Sequence, residues 1–390
     1  MSFGFRRFVL FLISFIKLWQ VYCLRLFINK SLSEVKKNSL LILKLDEIGD
    51  YILFRNFLKY FKKSKKFGKY NITLCGNIVW KDIFLTFDKD YVNSTIWIDK
   101  KKFLKEFIYR KNIINRINND FETIINCSYS RNFLIDDTIV KFSNSVESIG
   151  FVTDSSSQFH WQKMISDKYY TQLIKINDSD VFDFNKNKTF IHKILKIESE
   201  YNIPFIEKNP IDSDIKIYCK FALFYLGGRS RYKIWDVSNF LEIAKYVNNK
   251  FGLKIILVGS SEEIIYSKSI SDNFDEYNLI DFTSKTTLID LINLLSKAEI
   301  FISNDSGLAH IAAAIKTKLV IIANGTHYGR FFPYPQKYVN YVKAIYPNPI
   351  SESLNGFYKI SEKYKFRSKL SINSISIENV KSAVDELLAN

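Results

Sequence analysis

The chain reads as an α/β protein made of two parallel-sheet units. Three observations predict this. Short runs such as residues 39–45 (SLLILKL) and 253–258 (LKIILV) are apolar almost throughout, as strands buried on both faces require. Between such runs lie stretches with apolar residues at helical spacing, and strands alternating with helices are the pattern of βαβ units. The pattern fades across polar residues 153–215 and then restarts, and 390 residues are enough for two domains.

The first unit opens with the strand at 39–45. A short Gly-containing turn follows, then a helix in which Ile52, Leu53, Phe57, Leu58 and Phe61 share a face. Further strands are expected at 70–76 (YNITLCG), 94–99 (STIWID) and 120–128 (DFETIINCS), with a basic helical stretch at 100–117. Residues 190–202 read as helix, and 203–214, with two prolines and several acids, as a linker. In the second unit strands are expected at 220–228, 253–260, 299–305 and 318–325, with a short extended piece at 279–284. Helices are expected at 237–252, ended by Gly252, and at 261–274, 287–298, 307–316 and 376–390. The expected domains are therefore 39–215 and 216–390, preceded by an N-terminal segment at 1–38.

That segment contains a strongly apolar stretch at 5–28. On a helical wheel Arg6, Arg7, Ser14, Lys17, Gln20 and Arg25 gather on one side, and Phe8, Leu12, Phe15, Trp19, Cys23 and Leu26 opposite. This predicts a basic amphipathic helix lying in a membrane interface. The alternatives are a helix packed on its own protein and, third, a true span, which the internal charges disfavour. No small-x-small cleavage site follows it.

The formal net charge of +16 and pI of about 9.3 suit polyanionic partners: nucleic acid, an anionic membrane surface or phosphorylated substrates. Four scattered cysteines form no CxxC pair, which speaks against zinc and redox motifs. Walker loops and GxSxG elbows are absent from the sequence.

In open parallel sheets ligands bind beyond the carboxyl ends of strands, so the strand-end turns carry the candidates. Residues 303–310 (SNDSGLAH) place Asp305, Ser306, Gly307 and His310 where a strand hands over to a helix. The helix N-terminus favours an anion, Gly307 would let a diphosphate approach the backbone, and Ser306 could cap the helix or donate to phosphate. Asp305 is the odd residue, since an acid repels phosphate. Residues 227–235 (GGRSRYKIW) add Arg229, Ser230, Arg231 and Lys233, whose three cations could neutralise a diphosphate leaving group. Glu262 and Glu263 follow another strand end and could bind ribose hydroxyls or cap a helix. In the first unit Asp50 could be an N-terminal cap or a general base. Lys44 and Asp46 lie beside it as candidate acceptor contacts. Two Asp-Ser-Asp triplets at 178–180 and 212–214 follow no convincing strand, so no metal site is expected.

These turns occur in an order that resembles glycosyltransferase family 9, the heptosyltransferases of lipopolysaccharide core. The matching stretches are KLDEIGDYILFRNFL, GGRSRYKIWDVSNFLEIA and ISNDSGLAHIAAAIKTKLVIIANGT, over roughly residues 39–75 and 220–335. The resemblance implies a GT-B fold: two Rossmann-like domains facing a central cleft, the acceptor held by the first and the donor by the second. It implies inverting, metal-independent transfer from a nucleotide-diphosphate sugar, ADP-heptose being usual, with no cofactor. Asp50 matches the proposed base and Lys233 the donor-phosphate lysine. Asp305, Ser306, Gly307 and His310 match the donor block, and Glu262 or Glu263 a ribose-binding acid. Two departures stand out. Leu226-Gly227-Gly228-Arg229 replaces Pro-Gly-Ala-Ser, with Ser230 next in line, and Asp236 replaces the proline after the tryptophan.

The expectation is a membrane-peripheral glycosyltransferase on the inner face of the cytoplasmic membrane, acting on a glycolipid or glycan acceptor, with no nucleic acid partner. Its rivals are a nucleotide-sugar epimerase or hydrolase of the same fold and a basic nucleic-acid-binding protein.

Overall fold

The computed structural model of the chain describes residues 15, 16, 19, 23–28, 34–118, 120–154, 156–207 and 215–389. They build two six-stranded sheets. The first holds β1 (Ser39–Lys44), β2 (Asn71–Asn77), β3 (Ser94–Ile98), β4 (Thr123–Asn126), β5 (Glu147–Phe151) and β6 (Gln172–Ile174), in the order β3-β2-β1-β4-β5-β6. The second holds β7 (Phe221–Tyr225), β8 (Lys254–Val258), β9 (Leu279–Asp281), β10 (Ile300–Asn304), β11 (Leu319–Ile322) and β12 (Val342–Ile345), in the order β12-β11-β10-β7-β8-β9. Every pairing is parallel. In each sheet the first strand pairs with the second on one side and the fourth on the other, the doubly wound order of Rossmann folds.

The apolar runs explain the central strands. All of β1 and all of β10 are buried, as covering a parallel sheet on both faces demands. The helix Val237–Phe251 shows how local signals set its ends. Asp236 accepts from the Ser238 N–H at 3.1 Å, and Gly252 closes it at φ 65°, a left-handed position that glycine takes without strain.

Other expected elements are interrupted. The single helix read after β1 is three pieces: Ile48–Ile52, a 3₁₀ turn Arg55–Phe57, and Leu58–Lys63. Side-chain hydrogen bonds tie the broken stretch to distant segments. Asn187 donates to the Leu53 carbonyl at 3.1 Å, and Asn56 exchanges two bonds with the Phe205 backbone at 2.8 and 2.9 Å. The basic stretch breaks at extended Glu106 into Lys100–Lys105 and Phe107–Ile117. There the buried Arg110 donates to the carbonyls of Phe103 and Leu104 at 2.8 and 3.3 Å. Strands β5, β6 and β12 were not expected; β6 has three residues and β12 four.

Contacts divide the chain into two compact units. Unit 1 comprises Met1–Asp46, Phe57–Asn177 and Lys188–Glu198; unit 2 comprises Glu47–Asn56, Asp178–Asn187 and Ser199–Asn390. The sequence reading cut the chain once, after residue 215. By contacts Glu47–Asn56, Asp178–Asn187 and the chain from Ser199 on go instead with the second sheet. Each unit has its own apolar core.

Arg6, Arg7, Phe8, Leu12, Ser14, Lys17 and Gln20 of the expected amphipathic helix lie outside the described residues. Of its remainder, Leu24 is buried in the unit 1 core, while Phe15, Ile16 and Trp19 are 56%, 55% and 67% exposed. Among the described residues no helix is long and apolar enough to cross a membrane. All four cysteines are free thiols.

Candidate functional site

Strands β7 and β10 are neighbours where the second sheet reverses its winding, the place where such sheets bind ligands. Asn304, the last residue of β10 and fully buried, ties the turns after both strands together. Its amide donates to the carbonyls of Leu226 and Gly227 at 2.9 and 3.0 Å, and its Oδ1 accepts from the Trp235 N–H at 3.0 Å. With both lone-pair and donor needs met by backbone, this side chain fixes the loop that carries Arg229, Ser230 and Lys233. Nothing in the sequence pattern marks it, because the partners lie far away along the chain.

Lys233 ends the 3₁₀ turn Arg231–Lys233 and points to Asp305, Nζ to Oδ2 2.8 Å, with both side chains about one-seventh exposed at 15% and 14%. The acid that looked misplaced beside an anion site is the partner of the cation. Arg229 is exposed and Ser230 half-buried on the same loop. Ser306 is the N-cap of the helix Gly307–Ala314 and accepts from the Ala309 N–H at 3.4 Å.

Gly307 has a different reason from the one expected. A Cβ there would lie 3.2 Å from the Ile48 Cβ and 3.4 Å from the Gly49 N. The space a side chain would take is filled by the helix Ile48–Ile52, so the missing Cβ serves helix packing. The contact is reciprocal, since a Cβ on Gly49 would meet the His310 ring at 2.6 Å. Two glycines thus let the helices pack closely, Gly307 against Ile48 and the Gly49 backbone and Gly49 against the His310 ring, and Asp50 rides on one of them. Asp50 is the third residue of its helix, whose N-cap position belongs to Glu47. It sits, half-buried, in the same compact unit as Lys233 and Asp305.

His310 is buried, stacks on Phe332 at 4.4 Å between ring centroids, and has its Nδ1 2.9 Å from the Tyr334 hydroxyl. Burial pushes its pKa down to about 4; Asp305 and Asp183 counter this without reversing it. At neutral pH it is an uncharged ring and offers an anion no positive charge. Phe332 belongs to a segment that the sequence reading missed. Arg330, two residues earlier, donates to the Asp183 carboxylate at 2.8 Å, and Lys186 pairs with the same carboxylate at 2.7 Å. Burial alone would raise the Asp183 pKa, but these two cations hold it below the usual carboxylate range. The pair spans 147 positions, so no spacing rule could find it.

Glu262 and Glu263 separate cleanly. Glu263 is buried and closes a capping box, accepting from the Ser260 N–H and hydroxyl, both at 2.7 Å. Glu262 is exposed. Lys44 and Asp46 belong to unit 1. Lys44 is 3% exposed, its Nζ 2.8 Å from Asp46 Oδ2 and 2.9 Å from the Cys127 carbonyl. Its ammonium therefore serves the protein's own groups. Among the described residues no three His, Cys, Asp or Glu side chains gather as a metal site would need.

Comparison with known proteins agrees with this architecture. The profile of glycosyltransferase family 9 (heptosyltransferase) matches residues 148–359. Lipooligosaccharide heptosyltransferase 2 of Campylobacter jejuni is 28% identical over 196 residues, 45% of this chain and 60% of that protein. The chain thus spans less than two thirds of that relative's length. Among solved structures, a family 9 glycosyl transferase from Veillonella parvula superposes with a TM-score of 0.68 at 16% identity, covering 92% of this chain and 99% of that one. The E. coli heptosyltransferase WaaC with ADP gives 0.65 at 14% identity over 90% and 99%. E. coli ADP-heptose lps heptosyltransferase II gives 0.62 at 13% identity over 90% and 98%. With the profile covering more than half of its length and both doubly wound sheets in place, the chain belongs to glycosyltransferase family 9 and has the GT-B fold.

Proposed function

We propose that this protein is an inverting, metal-independent glycosyltransferase. It moves heptose or a related sugar from a nucleotide-diphosphate donor, ADP-heptose in the first instance, to a lipopolysaccharide-core or other surface-glycan acceptor. The names of its relatives support the sugar and the acceptor class, and the ADP complex of a relative supports the nucleotide. The observation that carries this reading is the close packing of the helices Ile48–Ile52 and Gly307–Ala314 at Gly49 and Gly307. It keeps the helix of Asp50 against the helix that follows Asp305, the partner of Lys233.

In this reading Asp50 takes the proton of the acceptor hydroxyl. The freed oxygen attacks the anomeric carbon as the bond to the diphosphate breaks, which inverts that centre. The charge that develops on the departing diphosphate is met by Lys233, by Arg229 on the same loop, and by the N–H groups at 306–308. Glu262 binds the ribose hydroxyls. His310, uncharged, shapes the wall and does not compensate charge. The protein works peripherally on the inner face of the cytoplasmic membrane, through its basic, apolar N-terminal stretch.

The test is Asp50→Asn. Donor binding, followed by thermal shift with ADP-heptose and ADP, should match the wild type, while transfer to a core-oligosaccharide acceptor should be lost. Transfer at the wild-type rate would remove Asp50 as the base. Donor breakdown at full rate without any acceptor would replace transfer by hydrolysis or epimerisation.

A further inference from the structure

A cavity of about 540 Å³ in unit 2 is lined by Arg231, Arg367 and Lys369, and among the described residues no carboxylate lines it. Of the candidate donor residues only Arg231 lines it; Lys233, Asp305, Ser306 and Glu262 do not. The turn Arg231–Lys233 explains the separation: Lys233 reaches Asp305, whereas its neighbours Arg231, Tyr232 and Ile234 line the cavity. Arg231, Arg367 and Lys369 are exposed, and none forms an ion pair among the described residues. Like charges gathered in a concavity without counter-charges repel one another, and an anion entering between them relieves that repulsion.

The cavity also has a shape. The Arg367 guanidinium lies over the Tyr232 ring at 4.4 Å, which fixes the plane of its donor fork. Ser368 and Ser371 bring hydroxyl groups, and Ile234 and Ile372 an apolar wall. A planar fork, two further cations and hydroxyl donors suit the tetrahedral oxygens of a phosphate ester better than a lone carboxylate. We infer that this cavity is a second anion site that binds the phosphate ester of a phosphorylated sugar or of a phospholipid headgroup, apart from the donor diphosphate. The inference does not depend on which sugar the enzyme transfers.

The experiment compares the full-length wild type with R367S/K369S, with Arg367→Lys and with the charge-matched control K268S/K297S, whose lysines are exposed elsewhere on unit 2. One arm titrates glucose 6-phosphate by calorimetry, with glucose as the uncharged comparison. The other measures sedimentation with phosphatidylcholine vesicles with or without phosphatidic acid. In at least one arm R367S/K369S should weaken phosphate-dependent binding about tenfold and Arg367→Lys several-fold, while K268S/K297S stays within about twofold. ADP binding should be unchanged in all variants, which also reports their fold. A response in the first arm alone assigns a soluble sugar phosphate; a response in the vesicle arm alone assigns a lipid headgroup. If R367S/K369S equals the wild type in both arms, or K268S/K297S weakens binding as much, the site does not exist.

Discussion

Lys233 Nζ stands 2.8 Å from Asp305 Oδ2, and the two residues come from the turns after adjacent strands of one sheet. A lysine stem has four methylenes and wanders when nothing holds its end. Asp305 holds it, so the cation is aimed before any donor arrives. Lys233→Met should lower kcat/KM by about 10²–10³-fold, the scale for removing a charge-stabilising donor. Asp305→Asn leaves the cation but loosens it, and should cost about tenfold, mostly in KM. Steady-state kinetics over a range of donor concentrations separates the two. An Asp305→Asn enzyme as inactive as Lys233→Met would mean that the acid acts on the substrate itself.

Gly49→Ala tests whether the glycine contact positions Asp50. The added methyl would fall 2.6 Å from the His310 Cδ2, and His310 is buried and stacked, so the short helix must move. The expected loss of stability is about 1–3 kcal/mol, typical of overpacking. Transfer should fall further than stability explains, with kcat reduced about tenfold or more and donor affinity little changed. A variant that is destabilised yet keeps its kcat would separate the packing from the chemistry.

The legibility of the fold follows from what each element depends on. Strand β1 was plain because six consecutive buried residues leave an apolar run. The helix Val237–Phe251 was plain because its cap and its terminating glycine are local. Strand β5, with Glu147 and Gly150 in five residues, has no such run. The candidate site was half legible for the same reason. Lys233, Asp305 and Ser306 stand at strand ends, which the pattern marks. Asn304 acts on carbonyls 77 and 78 positions away, and Gly307 fits Ile48 from the far end of the chain. Such roles exist only once the sheet has brought the partners together.

The two glutamates after β8 should behave oppositely. Glu263 holds the Ser260 N–H and hydroxyl, and its carboxylate also lies where a Cβ on Gly227 would fall, at 2.4 Å. Glu263→Ala should lower stability by about 1–2 kcal/mol through the lost cap, visible as an earlier urea midpoint. Glu262→Ala should leave the midpoint in place and raise the donor KM. The reverse pattern would hand the ribose to Glu263.

Exposed Phe15 and Trp19 give the membrane reading a local test. Removing residues 1–30 would also take Leu24 from the unit 1 core, so point changes are cleaner. F15E/W19E should release the protein from liposomes containing anionic lipid, with no change in melting temperature, because buried apolar area drives interfacial binding. Unchanged sedimentation with the liposomes would count against an interfacial helix.

His310 makes a prediction about pH. Its pKa falls from the ordinary 6.5 to about 4 because the ring is buried, and Asp305, Asp183 and Lys233 are the charged groups that act on it. The unfolded chain therefore binds this proton more readily than the native one. The neutral ring's full contribution is present above pH 6.5, is lost as pH falls toward 4, and changes no further below that; it amounts to about 3 kcal/mol at most. Asp136 works against it in the same range, since burial first, then Asp46, raises its pKa to about 7, and the native state keeps that proton longer. A single stability curve would mix the two. The comparison is with His310→Gln, which keeps an amide near the Tyr334 hydroxyl and cannot titrate. The wild type should lose stability relative to this variant between pH 6.5 and 4, by urea melts at each pH. A difference that stays constant across that range would mean that His310 titrates as an exposed histidine does.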